Sequence, residues 1–341
     1  MKPKIRWILC GGTIFMQKSS TGKLTYLNND GLEKEKILKR FENLQEFVDI
    51  TADDIVNLGT ISKKDSSNLD PNDWKTIATE VADSLNKYDG VLITHGTDTM
   101  QYTSAALSFM IRNPRKTIAI TGSQIDANNT KTDADKNLYD AARVAAYGDF
   151  GVCIVFSSKI IKGTRAKKTS ATEIDAFESF CSPLLGKTES IQIEHNVVRN
   201  EYREVIADTK LDTRVGHIKV FPGMNPEILE CYVNKGYRGI ILEGFGSGHV
   251  NVVDQKYSWL NNVVKAEKAG IPVFICTQCN RGAVDLRYEV GEKLSLAGAV
   301  GLGDMLPEVA VIKLMHVLGH YKDPVEIKKA MIENFAGEIN L

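Results

Sequence analysis

What this 341-residue sequence lacks narrows the choice first. Charge is balanced, with 42 Lys and Arg against 43 Asp and Glu for a net −1, so no overall field draws in nucleic acid or an anionic membrane surface. No apolar stretch approaches the ~20 residues that a membrane-crossing helix needs. The opening MKPKIRWILCGG is basic, but its apolar run is too short for a secretory leader. Six cysteines, Cys10, Cys153, Cys181, Cys231, Cys276 and Cys279, are scattered too thinly for a disulfide scaffold, which favours a reducing, cytoplasmic setting. Short-period repeats and low-complexity tracts are absent as well. What is left is an ordinary globular composition, 43% hydrophobic and 25% charged, and a length that suggests two domains at ~150 residues each.

Among the features that are present, the stretch Val91-Leu92-Ile93-Thr94-His95-Gly96-Thr97-Asp98-Thr99-Met100 stands out. A short apolar run stops in small and polar residues, and Tyr102, Ala105, Ala106, Phe109 and Met110 then recur at helical spacing. This reads as a buried strand, a tight loop and a helix start capped by Thr or Asp. Capping accounts for one or two of the polar residues and not for all of them. In an open α/β sheet such loops gather at the carboxyl ends of strands, where ligands bind.

The same pattern recurs along the chain. Ile5 to Cys10 ends in Gly11-Gly12-Thr13, Thr117 to Thr121 ends in Gly122-Ser123-Gln124, and Val152 to Phe156 is followed by a basic turn, Lys162 to Lys168. Asp70-Pro71-Asn72-Asp73 is a clear helix start. Strands alternating with helices argue for α/β architecture with a parallel, doubly covered sheet. From Gln192 to Arg214 periodicity is lost and charge rises, and a second α/β block follows. The expected organisation is thus two doubly wound α/β domains: a larger N-terminal one over residues 1–191, a linker over 192–214 and a smaller C-terminal one over 215–341.

Several tempting motifs weaken on inspection. Gly11-Gly12 is not a dinucleotide fingerprint, because the third glycine is missing at the required spacing. Cys276 and Cys279 have redox or metal spacing, yet no second pair accompanies them and they close a strand. His316 and His320 stand four apart near a helix end with no third ligand in the pattern, and a solvated or dipole-facing placement is expected. Arg165, Lys167 and Lys168 read as a mostly solvated turn, Lys168 excepted. No metal and no cofactor is expected. Residues 16 to 31, polar and without periodicity, read as a lid over the site.

The strand-end loops together offer the hydroxyls of Thr13, Ser66, Thr97 and Ser123, the carboxylate of Asp98 and the amine of Lys168. A Thr hydroxyl needs activation before it can act as a nucleophile. A Lys can supply that, because its amine becomes a base when its charge is disfavoured. Such a cluster suits a small, zwitterionic, hydrogen-bonding substrate.

Gly11-Gly12-Thr13-Ile14 and His95-Gly96-Thr97-Asp98-Thr99-Met100 resemble the two signatures of the bacterial-type L-asparaginases. The likeness extends through Asp65-Ser66, Leu107-Ser108-Phe109-Met110, Thr121-Gly122-Ser123-Gln124, Arg165 with Lys168, Asp175-Ala176-Phe177, Thr277-Gln278-Cys279 and Gly303-Asp304-Met305. It is greatest to the type I, cytoplasmic branch. The resemblance implies hydrolysis of L-asparagine to L-aspartate and ammonia, by an acyl-enzyme or by direct water attack. Thr13 would match the primary nucleophile, and Thr97, Asp98 and Lys168 the second catalytic set. Asp98 would hold the substrate α-ammonium, Asp65 and Ser66 the α-carboxylate end, with Gly12, Gly96 and Ser123 completing the binding set and Tyr26 a lid candidate.

Cys10 stands where the family usually has Thr, and Phe15 where a small residue is usual, which bears on the pocket's shape. The family builds its site between subunits, so a homodimer or dimer of dimers is expected. Ser247, in a Gly-rich turn, is the residue to expect from a neighbour. Partners would be the small substrate alone, L-asparagine and also L-glutamine as a candidate, with no nucleic acid and no membrane. Two other readings compete. One is the glutaminase-type amidase subunit of an aminoacyl-tRNA amidotransferase, whose relatives carry an extra domain before the Gly-Gly-Thr strand. The other is a non-catalytic amino-acid sensor, for which a Lys beside a Thr would be unnecessary.

Overall fold

Seven strands form the larger sheet, in the spatial order Gly186–Lys187, Lys159–Lys162, Val152–Phe156, Ile118–Thr121, Gly90–His95, Ile5–Cys10 and Ile55–Asn57. The five strands from Val152–Phe156 to Ile55–Asn57 pair in parallel. The two at the other edge are antiparallel, so the sheet is mixed rather than wholly parallel. Every residue of Gly90–His95 and of Ile118–Thr121 is buried, as expected for central strands covered on both faces. This computed structural model describes residues 1–18, 24–26, 34–190, 204–254 and 256–340, the backbone alone at 17, 18 and 24–26.

Two compact units make up the chain, Met1–Thr209 and Lys210–Leu341. In the first, helix Pro71–Leu85 begins at a full capping box. The Asp70 carboxylate accepts from the N–H groups of Asn72 and Asp73, and Asp73 reaches back to the Asp70 N–H, an arrangement worth about 1 kcal/mol. Its buried face carries Trp74, Ile77, Ala78, Val81 and Leu85. Helix Ala134–Tyr147 packs into a core with Trp7, Phe15, Phe41 and Leu92. Phe15 is 3% exposed with its ring 6.4 Å from that of Trp7, and Cys10 is fully buried. Both unusual neighbours of Thr13 therefore face the core.

The second unit holds four parallel strands, Val215–Lys219, Gly239–Gly244, Val273–Thr277 and Val300–Gly301, with helices that include Leu260–Lys268 and Pro307–His320. Its own core gathers Trp259, Leu229, Val263 and Leu294. Helix Glu289–Leu296 has no counterpart in the sequence reading.

Other differences have simple causes. The basic turn is partly a strand, Ala166–Lys168, paired antiparallel with Phe177–Ser179, and Arg165 is fully buried rather than solvated. His316 is 7% exposed and lies in a helix interior, not in solvent. Within the stretch read as a lid, Met16–Lys18 and Leu24–Tyr26 pair as a short hairpin; the Tyr26 side chain and residues 19–23 and 27–33 lie outside the described residues. So do residues 191–203, which include 192–203 of the expected linker, while Ile206–Ala207 pairs with Ile111–Arg112. All six cysteines are free, and burial pushes the thiols of Cys10, Cys153 and Cys276 up beyond any reactive range.

Candidate active site

Three strand ends of the first unit meet through glycines. Gly12 has φ +97°, in the region that disfavours side chains, and a Cβ there would lie 2.7 Å from the Gly96 nitrogen and from the His95 carbonyl. The backbones after Ile5–Cys10 and Gly90–His95 are thus in contact. Thr13, half-buried, opens a turn of 3₁₀ helix directly beyond. A Cβ at Gly96 would strike Ser66 at 2.7 Å, and one at Gly122 would strike the His95 carbonyl at 2.2 Å. Each approach is one that only glycine permits.

Thr97 and Asp98 follow Gly96, and neither they nor Thr99 caps helix Met100–Met110, whose N-cap residue Thr99 makes no side-chain capping bond. The Thr99 hydroxyl instead donates to the Ser66 carbonyl at 2.7 Å. That bond draws the turn Ser66–Asn68 against the loop, leaving Ser66 2% exposed. Asp65 is spent locally, its carboxylate accepting from the Ser67 N–H and hydroxyl.

The amine, a hydroxyl and a carboxylate come together at Thr97. Lys168 Nζ donates to Thr97 Oγ1 at 2.8 Å and to Asp98 Oδ1 at 2.7 Å. The Lys168 side chain is 13% exposed and that of Asp98 64%, so the amine is enclosed while the carboxylate faces solvent. Lys168 ends the strand Ala166–Lys168, opposite Phe177, whose ring sits 5.0 Å from that of Phe156 in the core. The hairpin that delivers the amine is thereby pinned to the sheet.

Below the loop, polarity is fixed by groups that can act in one sense only. Trp74 Nε1 donates to Thr103 Oγ1 at 3.1 Å, that hydroxyl donates to His95 Nε2 at 2.8 Å, and His95 Nδ1 donates to the Gly96 carbonyl at 2.7 Å. Burial lowers the His95 pKa to about 4, so the ring is neutral at neutral pH and its tautomer is set. In a trans peptide the carbonyl and the following N–H point oppositely. Anchoring the Gly96 carbonyl on His95 therefore aims the Thr97 N–H away from the core.

At the third strand end, Ser123 is 1% exposed and its hydroxyl has no hydrogen-bond partner among the described residues. Sequence reasoning passed over what holds this turn. The Gln124 and Ile125 N–H groups donate to the Asp133 carboxylate, Asn137 Nδ2 donates to Asp133 and to the Gly122 carbonyl, and the Ser157 N–H donates to Asn137 Oδ1. It also missed Gln124 itself, whose Oε1 accepts the Thr97 hydroxyl proton at 2.9 Å. The available signal was Gln124's place in the strand-end motif.

Thr97, Asp98 and Lys168 are therefore directly bonded, Ser66 and Gly96 touch, and Thr13 follows the glycine contact. Comparison with known proteins decides the family. Residues 4–200 match the profile described as "Asparaginase, N-terminal" and residues 214–331 that of "Glutaminase/Asparaginase C-terminal domain". The chain belongs to the asparaginase family.

Relatives and structures agree with that placement. An L-asparaginase of Thermococcus kodakarensis is 38% identical over 334 residues, 96% of this chain and 97% of that protein. The structure of the thermostable L-asparaginase from the same organism superposes with a TM-score of 0.86 at 36% identity, covering 99% of each chain. L-asparaginase I from Vibrio cholerae gives 0.84 at 31% identity, covering all of both. A glutamyl-tRNA(Gln) amidotransferase component of Pyrococcus horikoshii is also 38% identical, over 80% of this chain and 64% of its own length. Family membership thus leaves the particular amide open. Among the described residues, no helix is long and apolar enough to cross a membrane.

Proposed function

We propose that this chain is an L-asparagine amidohydrolase, releasing L-aspartate and ammonia. The observation that carries the reading is the direct contact of Lys168 with both Thr97 and Asp98. Asp98, exposed beside the hydroxyl, pairs with the substrate α-ammonium. The Ser66 hydroxyl takes the α-carboxylate, and Asp65 fixes the turn that presents it. Thr13, on the facing strand end, attacks the side-chain amide carbon. The tetrahedral oxyanion is met by backbone N–H groups near Gly12 and Thr97. The proton that Thr13 gives up on attack passes through the Thr97–Lys168 pair to the departing ammonia, and water then cleaves the acyl-enzyme ester to free aspartate and Thr13. Gly12 and Gly96 let the strand-end backbones and Ser66 close tightly on one another around the substrate, and Ser123 offers a hydroxyl not otherwise engaged. Tyr26 is the candidate lid residue. Two copies of the chain are proposed to complete the site, with Ser247 contributed by the neighbour.

A second reading has one observation in its favour, the equal identity to the amidotransferase component. It makes glutamine the preferred amide. Steady-state ammonia release from both amides separates the two. Asparagine should be hydrolysed with the higher kcat/KM; a preference for glutamine gives the reaction to the second reading, and no turnover of either amide contradicts both. A sizing column under active conditions should show a dimer or tetramer, and an active monomer would contradict the shared site.

A further inference from the structure

Gln124 belongs to none of the roles assigned above, yet it is bonded to the hydroxyl at their centre. Its side-chain Nε2 donates to the Glu173 carbonyl at 3.1 Å, and its Oε1 accepts from Thr97 Oγ1 at 2.9 Å. The amide cannot be turned around. The Glu173 carbonyl can only accept, so it must face the NH₂ end. Thr97 Oγ1 already accepts from Lys168, so its single proton is directed at the remaining acceptor, Gln124 Oε1. The backbone of Gln124 is held in turn by Asp133. A one-way series of bonds results, from the Lys168 amine to the Thr97 hydroxyl, from that hydroxyl to the Gln124 amide, and from the amide to the Glu173 carbonyl. Glu173 lies on the loop that joins Ala166–Lys168 to Phe177–Ser179, so both ends of the series rest on the hairpin that carries Lys168.

From this geometry we infer that Gln124 is a positioning residue for Thr97. A hydroxyl oxygen has two lone pairs. With Lys168 donating into one and the proton committed to Gln124, one pair remains, with a fixed direction. Without an acceptor at 124, the hydroxyl is free to rotate toward Asp98 or solvent, and the fraction of enzyme with Thr97 and Lys168 aligned at the start of proton transfer falls. Gln124 acts through its bond to Thr97, so the loss should fall on kcat rather than on KM. The inference rests on the amidohydrolase reading of the same site.

Two variants separate positioning from a merely structural tether. Gln124→Met removes both the acceptor and the donor, whereas Gln124→Glu keeps an oxygen for Thr97 and loses the donor to Glu173. Rates of ammonia release from L-asparagine should fall about 10²-fold in kcat for Gln124→Met with KM within about threefold, and Gln124→Glu should recover at least about tenfold of that loss. Equal losses in the two variants would assign Gln124 to holding the loop and overturn the inference, as would a Gln124→Met kcat within about twofold of wild type. Absence of turnover in the wild-type chain would instead overturn the amidohydrolase reading, so the two failures are distinguishable.

Discussion

The two sheets end in similar turns and use them differently. In the first unit, Thr97 gives its hydroxyl to side chains, accepting from Lys168 and donating to Gln124. In the second, Thr277 at the end of Val273–Thr277 donates to the Gly246 carbonyl and accepts from the Cys279 N–H. Beside it, the Gln278 amide is spent on the carbonyls of Val220 and Glu243. The second unit's carboxyl edge also borders a cavity of about 470 Å³ lined by apolar groups such as Phe221, Met224, Trp259 and Val290. A strand end in an α/β sheet provides access. On the proposed reading, what the hydroxyl is bonded to decides whether chemistry follows, and backbone partners fasten a loop without activating it.

The largest effects should break this contrast on the first unit's side. Thr13→Ala should lower kcat for asparagine by about 10³-fold or more with circular dichroism unchanged, and a rate near wild type would remove Thr13 from the mechanism. Lys168→Met should cost about 10²- to 10³-fold in kcat. Lys168→Arg should not restore it, since a guanidinium does not release its proton; recovery in the Arg variant would make the charge, not proton transfer, the contribution of this residue.

A smaller effect sharpens the comparison through glycine. Gly12→Ala forces a Cβ into the His95–Gly96 backbone at φ +97° and should cost about 2–3 kcal/mol of stability together with most activity. Gly246→Ala, at φ +48° with nothing within 4 Å, should cost about 1 kcal/mol and leave kcat unchanged. Denaturant titrations of both variants check this, and equal costs would contradict the tight meeting of strand ends.

The smallest effect is in pH. Native His95 has its pKa lowered to about 4 by burial, against about 6.5 in the unfolded chain. Between those values the unfolded state binds a proton that the native state does not, so stability is lost as pH falls from about 6.5 to about 4 and this contribution is level outside that window. Urea midpoints measured across the window should decline more steeply in wild type than in His95→Gln. Identical slopes would mean that His95 is protonated in the native protein.

Much of the architecture was legible because apolar runs such as Ile5–Cys10 and Gly90–His95 stop abruptly in glycine and small polar residues. What escaped reading depends on distance in sequence. Ala166–Lys168 and Phe177–Ser179 are three residues each, too short to show a period, and they exist as strands through pairing and the burial of Phe177. Glu289–Leu296 holds an internal glycine pressed against the Leu286 backbone, which weakens a helical pattern. At the candidate site, Thr97, Asp98 and Lys168 could be named from residue type and motif. Gln124, Asp133 and Asn137 could not be given their tasks, because an amide or acid of ordinary polarity acquires one only when the fold supplies its partners. Thr99 carries the same lesson in reverse, being a residue type suited to capping that is used to hold Ser66.

The central claim is that side-chain partners make the first unit's strand-end hydroxyl reactive and that backbone partners leave the second unit's inert. Ammonia release from L-asparagine by Thr97→Ala, measured alongside Thr277→Ala, tests it most directly. Thr97→Ala should lose about 10³-fold or more in kcat, and Thr277→Ala should keep a kcat within about threefold of wild type. Comparable rates in the two variants, or the greater loss at Thr277, would contradict it.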